Sequence, residues 1–231
     1  MIKNTLPKDW QKKIDIASKE EILELLPLIE RFAADEPGAS LTILPLLQRD
    51  DFAMRLRTFL ALARMAQAEA AEPLLDFIAT YSEQHWRLCA LDALSFISLE
   101  HKARALAPFL TYNDGIFVRG VICLLGQQKE EALPYLVDFL ESPNSGRIRS
   151  DLLGEAFWQA AGGREELLSK LAAENSVFAR WDRHRLRPPN LIRHYDIYPY
   201  PDYLWQKAQK VGIDQKAFRR LYYWSRDKNN K

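Results

Sequence analysis

The sequence predicts an all-α fold of helical hairpins stacked into a short, curved solenoid, and three observations carry that prediction. An apolar residue followed by Arg recurs at a nearly constant interval. An apolar segment containing Pro lies upstream of each recurrence. No stretch alternates apolar and polar residues over a useful strand length. Met54-Arg55, Trp86-Arg87, Val118-Arg119 and Ile148-Arg149 place their arginines 32, 32 and 30 residues apart, a period near 31.

The elements follow in chain order. Ser18-Lys19-Glu20-Glu21 has the spacing of a capping box ahead of the apolar run from Lys19 to Ala34. Pro27, inside that run, either starts a fifth copy of the Pro-led helix or kinks the helix it stands in. Leu44-Pro45-Leu46-Leu47, Glu72-Pro73-Leu74-Leu75, Ala107-Pro108-Phe109-Leu110 and Leu133-Pro134-Tyr135-Leu136 read as starts of the first helix of each pair, because a Pro in the first turn removes no helical hydrogen bond. The turns are Arg49-Asp50-Asp51, Tyr81-Ser82-Glu83, Asn113-Asp114-Gly115 and Ser142-Pro143-Asn144-Ser145-Gly146, whose short polar side chains can cap the helix that follows. Each Arg then opens the second helix. Phe59, Leu91, Cys123 and Leu153 stand four residues further on, and Leu62, Leu94, Gly126 and Ala156 seven further on, forming one apolar or small stripe.

Leu-Pro-x-Leu, a turn and x-Val-Arg ahead of an Ala/Leu-rich helix resembles the short HEAT-like repeats of phycobilisome lyases and of many bacterial proteins of unrelated function. Asn113-Asp114-Gly115-Ile116-Phe117-Val118-Arg119 is the best copy, and the resemblance covers roughly residues 40–175. It implies a HEAT-like α-α superhelix for residues 1–179. It also implies that the ladder Arg55, Arg87, Arg119 and Arg149 is structural, each Arg pairing with acidic groups of the next repeat. At Ala179-Arg180 the copy continues as Trp181-Asp182-Arg183-His184-Arg185 and loses the apolar stripe, so the array is expected to end near residue 180.

The near-neutral total, 32 Lys/Arg against 31 Asp/Glu, hides a polarity. Residues 1–179 hold 19 Lys/Arg and 26 Asp/Glu, a net of −7, whereas residues 180–231 hold 13 Lys/Arg and five Asp, a net of +8. The basic segment also holds three of the six tryptophans and six of the nine tyrosines. It either meets a charged partner or docks on its own acidic body. Pro188-Pro189-Asn190 breaks any helix, and two prolines keep Ile197 to Tyr203 irregular. Leu204 to Val211 and Gln215 to Arg226 read as short helices that cap the array.

Composition and motifs narrow the function classes. No run nears the roughly 20 apolar residues of a membrane span and Met1 to Lys13 has no apolar signal core, so a soluble cytoplasmic protein without a membrane partner is expected. Nucleotide-binding loops, Gly-x-Ser-x-Gly and His-Glu-x2-His do not occur. Cys89 and Cys123 fall on apolar stripes and read as core thiols. His85, His101, His184 and His194 have no second metal ligand at useful spacing. Paired acids at helix starts, such as Glu130-Glu131 and Glu165-Glu166, are explained by the helix dipole. The expectation is therefore a protein without catalytic residues, metal or cofactor, acting as a protein-interaction module of adaptor, assembly-factor or toxin-immunity type, with a partner of basic character. The alternative is a nucleic-acid-binding protein like the HEAT-like DNA glycosylases. There Arg183, Arg185, Arg187, Arg193, Arg219 and Arg220 would contact phosphates while Trp181, Tyr198 or Tyr200 stack on bases. A bilin lyase activity rests on the repeat resemblance alone.

Overall fold

The computed structural model describes residues 5–148 and 150–182. Every regular element among them is helical, with no strand. They fall into two compact units, the first ending at Ser98 and the second opening at Leu99.

In the first unit, α1 (Trp10–Ile16) precedes α2 (Lys19–Phe32), and α3 (Ala39–Ile43) passes directly into a 3₁₀ turn over Leu44–Gln48. Next come α4 (Phe52–Met65), a 3₁₀ turn at Ala68–Ala70 that leads into α5 (Ala71–Thr80), and α6 (Gln84–Phe96). Ser18 opens α2 with a complete capping box. The Glu21 amide donates to Ser18 Oγ at 3.3 Å and the Ser18 amide to Glu21 Oε2 at 2.8 Å. Asp51 caps α4, its Oδ1 accepting from the Met54 amide at 2.9 Å. The inner face of α4 then packs against both α2 and α6, and α5 lies on α6. Phe59 at the centre of α4 meets Phe77 of α5 edge-on at 5.3 Å and Trp86 of α6 at 6.0 Å, so one ring joins three helices.

The second unit repeats the plan. α7 (Lys102–Leu106) passes into a 3₁₀ turn over Ala107–Thr111, and α8 (Gly115–Gly126) follows. A 3₁₀ turn at Lys129–Ala132 leads into α9 (Leu133–Glu141). After a 3₁₀ turn at Ser145–Arg147 come α10 (Ser150–Ala160), α11 (Glu165–Glu174) and α12 (Ser176–Asp182). Asp114 Oδ1 accepts from the amides of Ile116 and Phe117 at 3.1 Å each and so fixes where α8 begins. From Phe117 to Gly126 only Arg119 escapes full burial, as suits a helix that is apolar on nearly every side. The thiols of Cys89 on α6 and Cys123 on α8 are buried.

The sequence period reappears as side-chain bonds between neighbouring hairpins. In the first unit Lys19 pairs with Asp51, Glu30 with Arg64, Ala34 O with Gln67 Nε2 and Gln48 with Tyr81, at separations of 32 to 34 residues. In the second unit Asn113 bonds Arg147, Glu130 bonds Arg164 and Glu141 bonds Asn175, each 34 residues apart.

The proline segments behave in two ways. Pro73 and Pro134 stand in the first turns of α5 and α9, as expected. Pro45 and Pro108 do not start helices. Each is the second residue of a 3₁₀ turn that continues a five-residue α-helix, because a residue without an N–H cannot donate the next α-type bond and the chain tightens instead. Pro27 starts nothing either: it lies inside α2, whose beginning Ser18 has already set. The array's expected end near residue 180 falls inside α12, the last described element, and the predicted helices after it, at Leu204 to Val211 and Gln215 to Arg226, lie outside the described residues.

Candidate functional site at the arginine ladder

Arg55 is the fourth residue of α4 and is 8% exposed. Its Nε donates to the Leu47 carbonyl at 2.9 Å, closing the end of the preceding 3₁₀ turn, and its Nη2 reaches Tyr81 Oη at 3.5 Å. The guanidinium lies over the rings of Tyr81 and Trp86, 5.3 and 5.5 Å from their centroids. Tyr81 is held in turn by stacking on Phe77 at 3.9 Å and by donating to Gln48 Oε1 at 3.0 Å. From the next hairpin, then, Arg55 takes two aromatic rings and a hydroxyl where the resemblance implies acids. Its acidic neighbour, Asp50, belongs to its own turn, sits 3.9 Å away and is fully exposed.

The other ladder members are not copies of this arrangement. Arg87 is half-buried and keeps the same helical register: its amide donates to the Glu83 carbonyl, as that of Arg55 donates to Asp51. At α8 the equivalent amide belongs to Val118, which donates to the Asp114 carbonyl at 2.9 Å. Arg119 therefore stands one residue further from its cap than Arg55 does, a rotation of about 100° around the helix axis. Val118 takes the buried place, at 2% exposure. Arg119 is half-buried, and its Nε is buried without an acceptor. The signal was present in the sequence, since Asp51 precedes Arg55 by four residues and Asp114 precedes Arg119 by five. The even Arg-to-Arg spacing concealed it. Arg149 lies outside the described residues.

The residues expected to touch a partner or nucleic acid separate similarly. Trp181 in α12 is half-buried, with its ring 5.4 Å from Phe157 and 6.0 Å from Phe178, so it packs on the second unit's core. Arg183, Arg185, Arg187, Arg193, Arg219, Arg220, Tyr198 and Tyr200 lie outside the described residues, as do His184 and His194. His85 is 3.3 Å from Glu83 and packs on Trp86, and His101 lies between Glu100 and Glu131 at 3.6 and 3.8 Å. Exposed acids stand on α5 and α9: Glu72 and Asp76 in one unit, Asp138 and Glu141 in the other.

Two buried ionisable residues escaped the sequence reading. Lys102, at the start of α7, is 5% exposed, and burial pushes its amine down to about 8. Glu155 on α10 is 8% exposed and accepts from Gln159 Nε2 at 3.0 Å. The available signal was positional. Lys102 lies four residues before Leu106, and Glu155 three after Leu152 and one before Ala156, each within an apolar stripe.

A guanidinium stays charged at any physiological pH, so the ladder can brace the fold or bind anions and does not trade protons. Among the described residues, no group of three His, Cys, Asp or Glu could hold a metal ion, and no helix is long and apolar enough to cross a membrane. No protein-family model matches the chain, and neither a curated protein nor a solved structure matches it. The class that stands is a protein that is all-helical among the described residues.

Proposed function

We propose that the chain is a HEAT-like repeat protein and works as a non-enzymatic interaction module, an adaptor, assembly factor or toxin-immunity protein that holds a basic protein partner. The observation that carries this reading is the recurrence of inter-hairpin bonds at separations of 32 to 34 residues within each unit. Such nearest-neighbour registry is what a repeat array requires, since each hairpin buries its apolar face on the next. Exposed acids on α5 and α9 supply the charge a basic partner would meet.

The test is capture of partners by the full chain from lysate of its source organism, with and without nuclease, at low and moderate salt. Glu72→Lys/Asp76→Lys and Asp138→Lys are compared with the unaltered protein. A stoichiometric protein that resists nuclease and is lost on one of these reversals, with helicity intact by circular dichroism, supports the module. Binding that survives both reversals removes the acidic faces from the proposal. The +8 charge of residues 180–231 favours a second reading, nucleic-acid binding. Loss of all captured material on nuclease treatment would establish it in place of the first.

A further inference from the structure

We propose that Arg119 is an anion-binding residue that takes a carboxylate from a protein partner. Three observations meet there. Its Nε is buried and has no acceptor, and among the described residues no ion pair or ring contact engages its guanidinium. A buried donor left unpaired is costly, so a native structure that keeps one has a use for it or a partner still to come. Arg55 shows what the same repeat position looks like when it is satisfied, with a carbonyl, a hydroxyl and two rings around it. The one-residue slip from the cap turns Arg119 about 100° from that arrangement. Arg87, which has no slip, is also half-buried with a buried Nε that bonds to no acceptor, but its side chain is engaged elsewhere, whereas that of Arg119 is not.

The surroundings select the chemistry. Helical side chains lean toward the helix N-terminus, so Arg119 leans toward the turn Tyr112 to Gly115. Arg147, an exposed residue, is fastened to that turn through Asn113 Oδ1, and its charge offsets that of Asp114, the turn's own carboxylate, whose Oδ1 is taken by the Ile116 and Phe117 amides. Gly115 is exposed, and a Cβ placed there would meet nothing within 4 Å, so the approach is open. The two oxygens of a carboxylate match the planar fork of a guanidinium. A nucleic-acid backbone fits less well, because the net of −7 on residues 1–179 repels a polyanion in proportion to its charge and a single carboxylate far less.

The inference rests on the interaction-module reading for the identity of the partner, but its test needs no partner. The full chain, labelled with ¹⁵N, is titrated with two capped peptides, acetyl-Ala-Leu-Glu-Leu-Ala-amide and its Gln counterpart, and separately with inorganic phosphate. The arginine Nε–Hε resonances report on each site. The Arg119 resonance is expected to shift saturably with the Glu peptide and not with the Gln peptide, while that of Arg55 stays fixed. In Arg119→Gln the saturable response disappears. In Arg119→Lys, which keeps the charge but lacks the fork, the peptide-induced shifts of neighbouring amides saturate at least several-fold later. An unchanged Arg55 resonance certifies that each variant is folded. A silent Arg119 resonance, an equal response to the Gln peptide, or tighter saturation by phosphate than by the Glu peptide would each overturn the proposal. All three results are independent of whether a lysate yields a protein partner.

Discussion

Arg55 joins two hairpins through a charge that has no acid beside it in the core. Replacing it with Ala removes the donor to Leu47 O and the cation over Tyr81 and Trp86, for an expected loss of about 2–4 kcal/mol. Arg55→Lys restores little, because a single ammonium cannot serve the carbonyl and cover two rings at once. Urea denaturation of the three proteins checks this ranking, and a Lys variant as stable as the parent would contradict it. Lys102 makes a prediction about pH. Its folded value is about 8 against an ordinary 10.5, so between those values the unfolded chain binds more protons and stability rises with pH. Below about pH 8 the folded protein bears the whole desolvation penalty, on the order of 3 kcal/mol. Lys102→Met should therefore lack the alkaline rise, as read from the difference between the two denaturation curves from pH 7 to 10.5. Parallel curves would show that the amine is solvated. Nothing in the charge count pointed to Lys102. Only its place on the Leu106 stripe did, and a lysine is ordinarily assumed to face water.

Helix starts were the most legible elements and helix types the least. Ser18, Asp51 and Asp114 act as caps because the cap is a local bond between a side chain and an amide two or three residues on, which a linear sequence displays directly. The prolines misled at Pro45 and Pro108, where the choice between opening a helix and tightening one depends on whether the preceding residues are already helical. Asp51 does more than cap. Its Oδ2 also takes Lys19 Nζ at 2.5 Å, tying the start of α2 to the start of α4. Burial pushes the Asp51 carboxyl up, but Lys19 and the Met54 and Ala53 amides outweigh it and hold the group below its ordinary 3.8. A depressed carboxyl contributes stability that is present above its unfolded value and is lost as the pH falls through the folded one. Asp51→Asn should keep most of the cap while losing this acid-labile part below about pH 4, and Asp51→Ala should lose about 1 kcal/mol at neutral pH as well. Denaturation at pH 7 and pH 3 separates the two effects. An unchanged acid limb in the Asn variant would place the acid sensitivity elsewhere.

The bonds at separations of 32 to 34 residues within each unit lie close to the spacing of the arginines in the sequence. If the chain is the repeat array proposed above, in which each hairpin needs only its neighbours, the same property governs how damage should spread. Gly126 closes α8 against α10, where a Cβ would come within 3.0 Å of Ala156 Cα and 3.2 Å of its carbonyl oxygen. These are backbone atoms and cannot swing aside, so Gly126→Ala must move one helix off the other, at an expected cost of about 1–3 kcal/mol. The stripe positions Leu62, Leu94, Gly126 and Ala156 gave no warning of this, since a small residue at a stripe position reads equally as a weak core contact or as a close approach. In an array stabilised by nearest-neighbour interfaces, protection should fall most in α8 and α10, less in α9 and α11, and least in the elements of the second unit furthest along the chain from the lesion. Hydrogen exchange of the Gly126→Ala protein, compared element by element with the parent, reads that gradient. If every amide of the second unit lost protection equally, the unit would open as one cooperative body. The bonds that recur every 32 to 34 residues would then act together, rather than as links that can be broken one at a time.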